Sequence, residues 1–363
     1  MSMYDQPARL TAIEAKSAAQ RLAFGPVAFQ AAACLVRLGI LEAVASAGDE
    51  GRGIEDIAQE LTLSPYGVGV LLDMGLALGA VWRRDDHYVI DKIGQFLIDD
   101  ELTRVNMDFV QDVCYVAMHQ LQASIEQERP VGLEAFGEWS SIYPALQSLP
   151  EPARTSWHKF DHFYSTAAFP RALDKVLEQR PKHLLDIGGN TGKWAIYCAS
   201  KDPNIRVTIL DLPEQLAVAK TNIAAHGLSH RISLHAVDML DDTSSIPQGA
   251  DAIWMSQFLD CFSEDQIRSI LERAAKAMSS DTSLFILETF WDRQRHEAAA
   301  YSLHATSLYF TCLANGNSRM YEGVRMKALA EQAGLQVAEE TDNLGLGHTL
   351  FRCTRPTLAE IQR

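Results

Sequence analysis

Positive charge is scarce in this chain: 32 lysines and arginines stand against 47 aspartates and glutamates over 363 residues, a formal net charge of −15. Nucleic acids and anionic membranes are recognised through clustered Lys and Arg, so this balance argues against both as partners. Long apolar runs are missing as well. Nothing is long enough to span a bilayer, and Met1 to Ala18 mixes charges without the apolar centre of a secretory signal. Cysteine is sparse and scattered: Cys34, Cys114, Cys198, Cys261, Cys312 and Cys353 never form the close pairs of a zinc or redox site. They are expected to be buried free thiols in a reducing compartment, the cytoplasm. Repeats and low-complexity segments are absent. What remains is a chain 47% apolar, long enough for two well-filled cores and suited to a small uncharged or cationic partner.

The N-terminal third reads as helical. Leu22, Val27, Ala28, Ala31, Leu35, Leu38, Leu41 and Val44 keep helical spacing with many small residues. Gly53 to Leu61 is a short helix, and Ser64-Pro65 opens another by N-cap and first-turn proline. Ala80 to Trp82 and His87 to Ile90 are short strands around a polar turn. Helix, helix, hairpin is a winged-helix arrangement. As a DNA reader it is poorly equipped, because Ser64 to Trp82 contains no Lys or Arg and the preceding helix carries Glu55, Asp56 and Glu60. Its weakly charged apolar face suits a dimer interface instead.

Leu102 to Glu128 is expected to continue as helix, followed by irregular structure over Pro130 to Pro152. A helix from Thr155 to Leu177, broken at Pro170, carries Trp157, Phe160, Phe163, Tyr164 and Phe169. This aromatic surface can line a pocket for a flat acceptor or serve as core packing. His158 and His162 lie one helical turn apart, but Lys159 stands where a two-histidine metal motif places its glutamate, so the expectation is a polar pocket wall without metal.

The most informative stretch is His183-Leu184-Leu185-Asp186-Ile187-Gly188-Gly189-Asn190-Thr191-Gly192-Lys193-Trp194: buried strand, tight turn, helix. Glycines of this kind let a nucleotide-type ligand approach the backbone. A dinucleotide fingerprint needs glycine at the first, third and sixth places, which here hold Gly188, Asn190 and Lys193. A P-loop needs Gly-Lys-Ser/Thr, and Trp194 follows Lys193. An acidic residue two places before a glycine turn resembles the first motif of class I S-adenosylmethionine-dependent methyltransferases.

Strand and helix signals then alternate: Arg206 to Asp211, a helix to Ala225, Ile232 to Asp238, Asp251 to Ser256, a helix over Ser263 to Ala277, and Ser283 to Glu288. This is a Rossmann-like, doubly wound α/β sheet, whose ligands sit beyond the carboxyl ends of the strands. Asp186, Asp211 and Asp238 mark the first three such ends. Asp211 is placed to accept both hydroxyls of a ribose, Asp238 with Met239 to lie by an adenine, and Asp186 to hold the turn or the amino-acid part of the cofactor.

Together with the winged helix, Asp211-Leu212-Pro213, Asp238-Met239 and Ala333-Gly334-Leu335, these segments resemble the plant-type O-methyltransferase family, with its caffeate-like and hydroxyindole-like members. The resemblance covers nearly the whole chain. It implies a helical winged-helix dimerisation domain over 1–105, a helical connector over 106–170 that contributes to the acceptor pocket, and an S-adenosylmethionine-binding domain over 171–363. It also implies a homodimer, a metal-independent reaction on a small aromatic hydroxylated acceptor, and S-adenosylhomocysteine as product. Cofactor residues expected on this basis are Asp186, Gly188, Gly189, Asn190, Gly192, Asp211, Leu212, Asp238, Met239, Ser256 and Gln257. Tyr164, Leu308 and Tyr309 fall where the family lines its acceptor pocket, with Phe160 beside them.

The departures concern proton handling. The family's catalytic histidine is replaced by Asp260 in Leu259-Asp260-Cys261-Phe262-Ser263-Glu264-Asp265. A second family glutamate is Ser318, the cofactor-side lysine is Ser256, and the glutamate ending the preceding strand is kept as Glu288. Proton transfer from a phenol to an ordinary aspartate is uphill by about six pKa units, or about 8 kcal/mol. Three accounts stand open: Asp260 buried with a raised pKa, His304 as the base, or an acceptor (an easily ionised group or an activated ring carbon) that needs positioning more than a base. Methyl transfer to oxygen is favoured over carbon. The alternatives are another reaction of the bound cofactor, such as decarboxylation, hydroxylation or rearrangement, and a winged-helix ligand-sensing regulator.

Overall fold

The computed structural model describes Tyr4 and residues 7–356. The chain divides into two compact units between Asp112 and Val113. The first contains α1 (Ala12–Ala23), α2 (Gly25–Arg37), α3 (Ile40–Ser46), α4 (Ile54–Leu61), α5 (Pro65–Leu78), the hairpin β1 (Val81–Arg84) and β2 (His87–Ile90), α6 (Lys92–Asp99) and α7 (Glu101–Phe109). The sequence explains the ends. Thr11 and Glu14 close a capping box on α1. Ser64 accepts from the Gly67 amide with Pro65 in the first turn of α5, and Gly79 ends that helix in a left-handed conformation. Leu35, Ile40, Leu41, Val44, Ile57 and Leu72 form the core with Val81 and Tyr88 of the hairpin. Each such side chain contributes about 1.5–3 kcal/mol by leaving water. Helix α1 buries none of its residues.

The second unit opens with α8 (Leu121–Gln127), α9 (Ala153–Thr166) and α10 (Phe169–Leu177). It continues as β3 (His183–Ile187), α11 (Lys193–Lys201), β4 (Arg206–Asp211), α12 (Pro213–Ala225), β5 (Ile232–Ala236), β6 (Ala252–Ser256), α13 (Glu264–Ala277) and β7 (Ser283–Glu288). Then follow α14 (Glu297–Tyr309), α15 (Gly323–Gln332), β8 (Gln336–Leu344) and β9 (His348–Thr354). The strands make one seven-stranded sheet in the order β5-β4-β3-β6-β7-β9-β8. Strands β3 to β7 are parallel, while β9 runs antiparallel to β7 and to β8. Alternate residues feed two cores. Leu185, Ile187, Ile253, Met255, Leu284 and Ile286 pack with Ile267 and Ile270 of α13 and Met326 of α15. Leu184, Trp254, Phe285 and Leu287 pack with Leu173 of α10, Trp194 of α11 and Leu216 of α12. Both faces are covered, which is why these strands read as unbroken apolar runs.

Three expectations need correction. The helix expected from Leu102 to Glu128 is interrupted by a wide turn over Val110–Cys114 and a 3-10 turn over Ala117–Gln120. The carbonyl of Ala117 accepts from the Cys312 thiol at 3.3 Å, a contact no local pattern reveals. The break in the aromatic helix falls at Ala167 and Ala168, and Pro170 sits in the first turn of α10, where its missing N–H costs little. Strand β5 ends at Ala236, two residues before Asp238.

Candidate active site

Strand β3 has β4 on one side and β6 on the other, so the direction of winding reverses there, and in sheets of this kind ligands bind beyond the carboxyl ends of the strands at that point. The glycine turn follows β3 there. Gly188 has φ +75°, and a Cβ on it would lie 2.2 Å from the Phe258 ring. A Cβ on Gly189 would lie 2.7 Å from Asp186 Oδ2. No larger residue fits at either position. Asn190 is a non-glycine residue at φ +48°, and Gly192 caps α11. Trp194 of α11 stacks on Trp254 of β6 at 3.9 Å between ring centroids, fixing the helix on the sheet below the turn.

Asp186 is buried beneath this turn, and its Oδ2 has no hydrogen-bond partner. Burial, reinforced by the charge of Asp211, pushes its carboxyl up to about 8. Asp211 accepts from the Asn190 amide at 2.7 Å on one oxygen and from the Leu212 amide at 2.7 Å on the other. Each oxygen keeps a lone pair for a ligand hydroxyl. Burial raises its pKa against these two bonds. Asp238 is exposed and accepts from the Leu240 amide at 2.8 Å, whereas Met239 is buried in the core. At the end of β6, buried Ser256 Oγ is unpartnered, and Gln257, at φ +45°, meets the fully buried His348 at 3.4 Å.

Beyond β6 lies an acidic centre. Asp260 is 5% exposed and Glu288, at the end of β7, is 1% exposed. Glu288 Oε1 accepts from the amides of Phe258 at 3.0 Å and Leu259 at 2.9 Å, while Oε2 has no partner. Burial pushes Asp260 up to about 7, and burial beside Asp260 drives Glu288 well above the carboxylate range. The Cys261 thiol lies 3.5 Å from Asp260 Oδ1. Asn315 donates to the Cys261 carbonyl at 2.6 Å and accepts from Ser318 Oγ at 3.0 Å. Thus Ser318, at the position of the second family glutamate, braces the loop that carries Asp260. The Tyr143 hydroxyl is buried beside Cys261, and burial, then the neighbouring Cys261 and Asp260, drive it well above the ordinary phenol value.

Helix α9 supplies the aromatic wall. Phe160 and Tyr164 pack at 5.0 Å, and Trp157 Nε1 donates to the Tyr309 hydroxyl at 2.7 Å. His304 packs on Trp291 at 4.8 Å, and Leu308 is exposed. The rings of His158 and His162 are 5.9 Å apart. His162 meets Thr191 at 3.3 Å, and burial lowers its pKa to about 4. Asp161 accepts from the Asn190 side chain at 3.3 Å. Asp161, Tyr143 and Asn315 were missed as site residues by sequence reasoning; only Asp161, beside the two histidines, carried any local signal.

The O-methyltransferase domain model matches residues 118–336, and a Dimerisation2-like domain model matches residues 16–88. This chain belongs to the O-methyltransferase family. Over 315 residues it is 24% identical to an L-tyrosine C(3)-methyltransferase of Streptomyces lavendulae, covering 86% of this chain and 84% of the relative. It is 27% identical over 281 residues to a 3-hydroxy-5-methyl-1-naphthoate 3-O-methyltransferase of Streptomyces sahachiroi, covering 75% and 76%. The crystal structure of the S-adenosylmethionine-dependent methyltransferase SibL superposes with a TM-score of 0.72 at 26% identity, covering 94% of this chain and all but 1% of that one (99%). The methyltransferase is therefore S-adenosylmethionine-dependent and metal-independent, as its family is. Its residues fit that cofactor: both Asp211 oxygens keep acceptor capacity for hydroxyls, and the unpartnered Asp186, Asn190 and Ser256 atoms leave further polar capacity around the turn. Among the described residues, no single helix is long and apolar enough to cross a membrane.

Proposed function

We propose that this methyltransferase acts on a small aromatic acceptor, with hydroxyl oxygen the favoured site of transfer, and that Asp260 handles the acceptor's proton. The observation that carries this reading is the buried, electrostatically interacting pair Asp260 and Glu288 beyond β6, where the resemblance places the family's base. Asp211 would hold the ribose, and Gly188, Gly189, Asn190 and Gly192 would form the floor under the amino-acid part, with Asp186 holding the turn from below. Leu212, Asp238, Met239, Ser256 and Gln257 would complete the crevice. The cofactor supplies an electrophilic methyl group on a cationic sulfur.

Phe160, Tyr164, Leu308 and Tyr309 would hold a flat ring against the donor side, and exclusion of water sharpens the field of nearby charges. Asp260, pushed up to about 7, is about three units below a phenol, so proton transfer is uphill by about 4 kcal/mol instead of about 8. Glu288 holds the backbone of the Asp260 loop, and burial beside Asp260 drives its own carboxyl well above the carboxylate range. His304 stays a second candidate base. The relative named as an L-tyrosine C(3)-methyltransferase supports including carbon acceptors.

We further infer a homodimer formed through the N-terminal unit, on the strength of the dimerisation-domain match and of Ile13, Leu22 and Phe24, all exposed on or beside α1. The functional test is a screen of phenolic and aminophenolic acceptors with S-adenosylmethionine. Product and S-adenosylhomocysteine formed in equal amounts would support methyl transfer; consumption of cofactor without methylated product would contradict it.

A further inference from the structure

Asn190 stands where the backbone favours glycine: its φ is +48°, between Gly188 at +75° and Gly192 at +82°. A side chain there carries a conformational cost, and this one forms a bridge. Its backbone amide donates to Asp211 Oδ2 at 2.7 Å, and its side-chain amide donates to Asp161 Oδ2 at 3.3 Å. Two further contacts keep α9 in step with the turn, Thr191 to His162 at 3.3 Å and Lys193 to Thr166 at 3.1 Å. Asp161 is thereby fixed at the edge of the cofactor turn. Asp161 thus meets the glycine turn through Asn190 and acts electrostatically on Asp260, on the acceptor side.

We propose that Asp161, positioned by Asn190, distinguishes the sulfonium cofactor from its neutral thioether product, favouring entry of the first and release of the second. The inference rests on the cofactor reading above. The physical reason is that methyl transfer removes one positive charge from the sulfur, and a partly buried carboxylate, 26% exposed, interacts more strongly with the cation than with the thioether. His162, 4.0 Å away, is neutral at physiological pH, whereas Lys193 offsets part of the Asp161 charge while its ammonium also donates to Thr166. Asp161 itself, raised by burial to about 6, is ionised at neutral and alkaline pH.

The test is calorimetric titration of the full-length protein at pH 8 with S-adenosylmethionine and S-adenosylhomocysteine. It uses wild type, Asp161→Asn and Asn190→Gly. Asparagine at 161 can still accept from Asn190, so only the charge is lost. The expected result is a loss of roughly tenfold in sulfonium affinity for Asp161→Asn with thioether affinity changed less than about twofold. Asn190→Gly should lose sulfonium affinity too, without a lower melting temperature, because glycine suits a positive φ. Equal weakening of both ligands in Asp161→Asn would reduce Asp161 to a fastening of α9, and unchanged affinities would remove it altogether; either overturns the proposal. Failure of wild type to bind either ligand would instead overturn the cofactor reading.

Discussion

Glu288 Oε1 sits 2.9 Å from the amide nitrogen of Leu259, so the last residue of one strand fixes the backbone of the loop that follows its neighbour. The Phe258 amide donates to the same oxygen at 3.0 Å. Glu288→Ala leaves both amides without their partner in a buried place and should cost about 1–3 kcal/mol of stability. Glu288→Gln, which keeps an acceptor oxygen, should cost less than half of that. Urea denaturation monitored by fluorescence measures both; equal stability of Glu288→Ala and wild type would show that water replaces the carboxylate.

Asp260 should be needed for turnover and dispensable for cofactor binding. Asp260→Asn is expected to lower kcat by more than about tenfold, the low end of what a positioned base contributes. Because the carboxyl is raised to about 7, wild-type kcat/KM should climb with pH through that value as the base form appears, and the variant should lose this limb. Steady-state kinetics between pH 5.5 and 9 decide the matter. An unaltered profile in Asp260→Asn would move the role to His304.

Stability without ligand should decline with rising pH. Asp161, Asp260 and Asp186 are held by burial at about 6, 7 and 8, all above the value of about 3.9 for an unfolded aspartate. At these three carboxyls the folded state therefore binds more protons than the unfolded one between about pH 4 and 8. This outweighs the opposite effect of the buried His162 and His348, which titrate at about 4 and act only below about pH 6.5. The stability the three carboxyls contribute is complete below about pH 4 and is lost as pH climbs through their folded values. Melting temperatures at pH 5 and pH 8 test the sign. A higher melting temperature at pH 8 than at pH 5 would show that the three carboxyls are not held protonated.

The exposed apolar residues of the first unit predict how the chain associates. Ile13 and Leu22 on α1 are 79% and 76% exposed. Replacing both by aspartate should convert a homodimer into monomer by analytical ultracentrifugation, with the helical circular-dichroism signal unchanged. A dimer that survives the double substitution would place the interface elsewhere.

Much of this architecture is legible in local pattern. The unbroken apolar runs of β3, β6 and β7 announce strands covered on both faces, and Ser64-Pro65 and Ser263 mark helix starts that the structure bears out. The glycine turn after Asp186 is readable because no other residue type fits at Gly188 and Gly189. What local pattern does not carry is long-range contact. Within the interruption before α8 the Ala117 carbonyl accepts from the Cys312 thiol, 195 positions away. Asn315 braces Cys261 across 54 positions, and Asp161 joins the site only because α9 lies along the turn. The hairpin of β8 and β9 went unread beyond Ala333-Gly334-Leu335: β8 alternates in burial at the sheet edge, while β9 takes its place beside β7 only through tertiary pairing.

Calorimetric titration of the wild-type protein with S-adenosylmethionine, S-adenosylhomocysteine and, separately, NADH tests the central claim most directly. A crevice built on Asp186, the glycine turn and Asp211 should bind both sulfur ligands in the micromolar range and leave NADH unbound. Absence of binding by either sulfur ligand would mean that the donor site, where Ser256 replaces the family lysine, is dismantled, and the methyl-transfer account would fall with it.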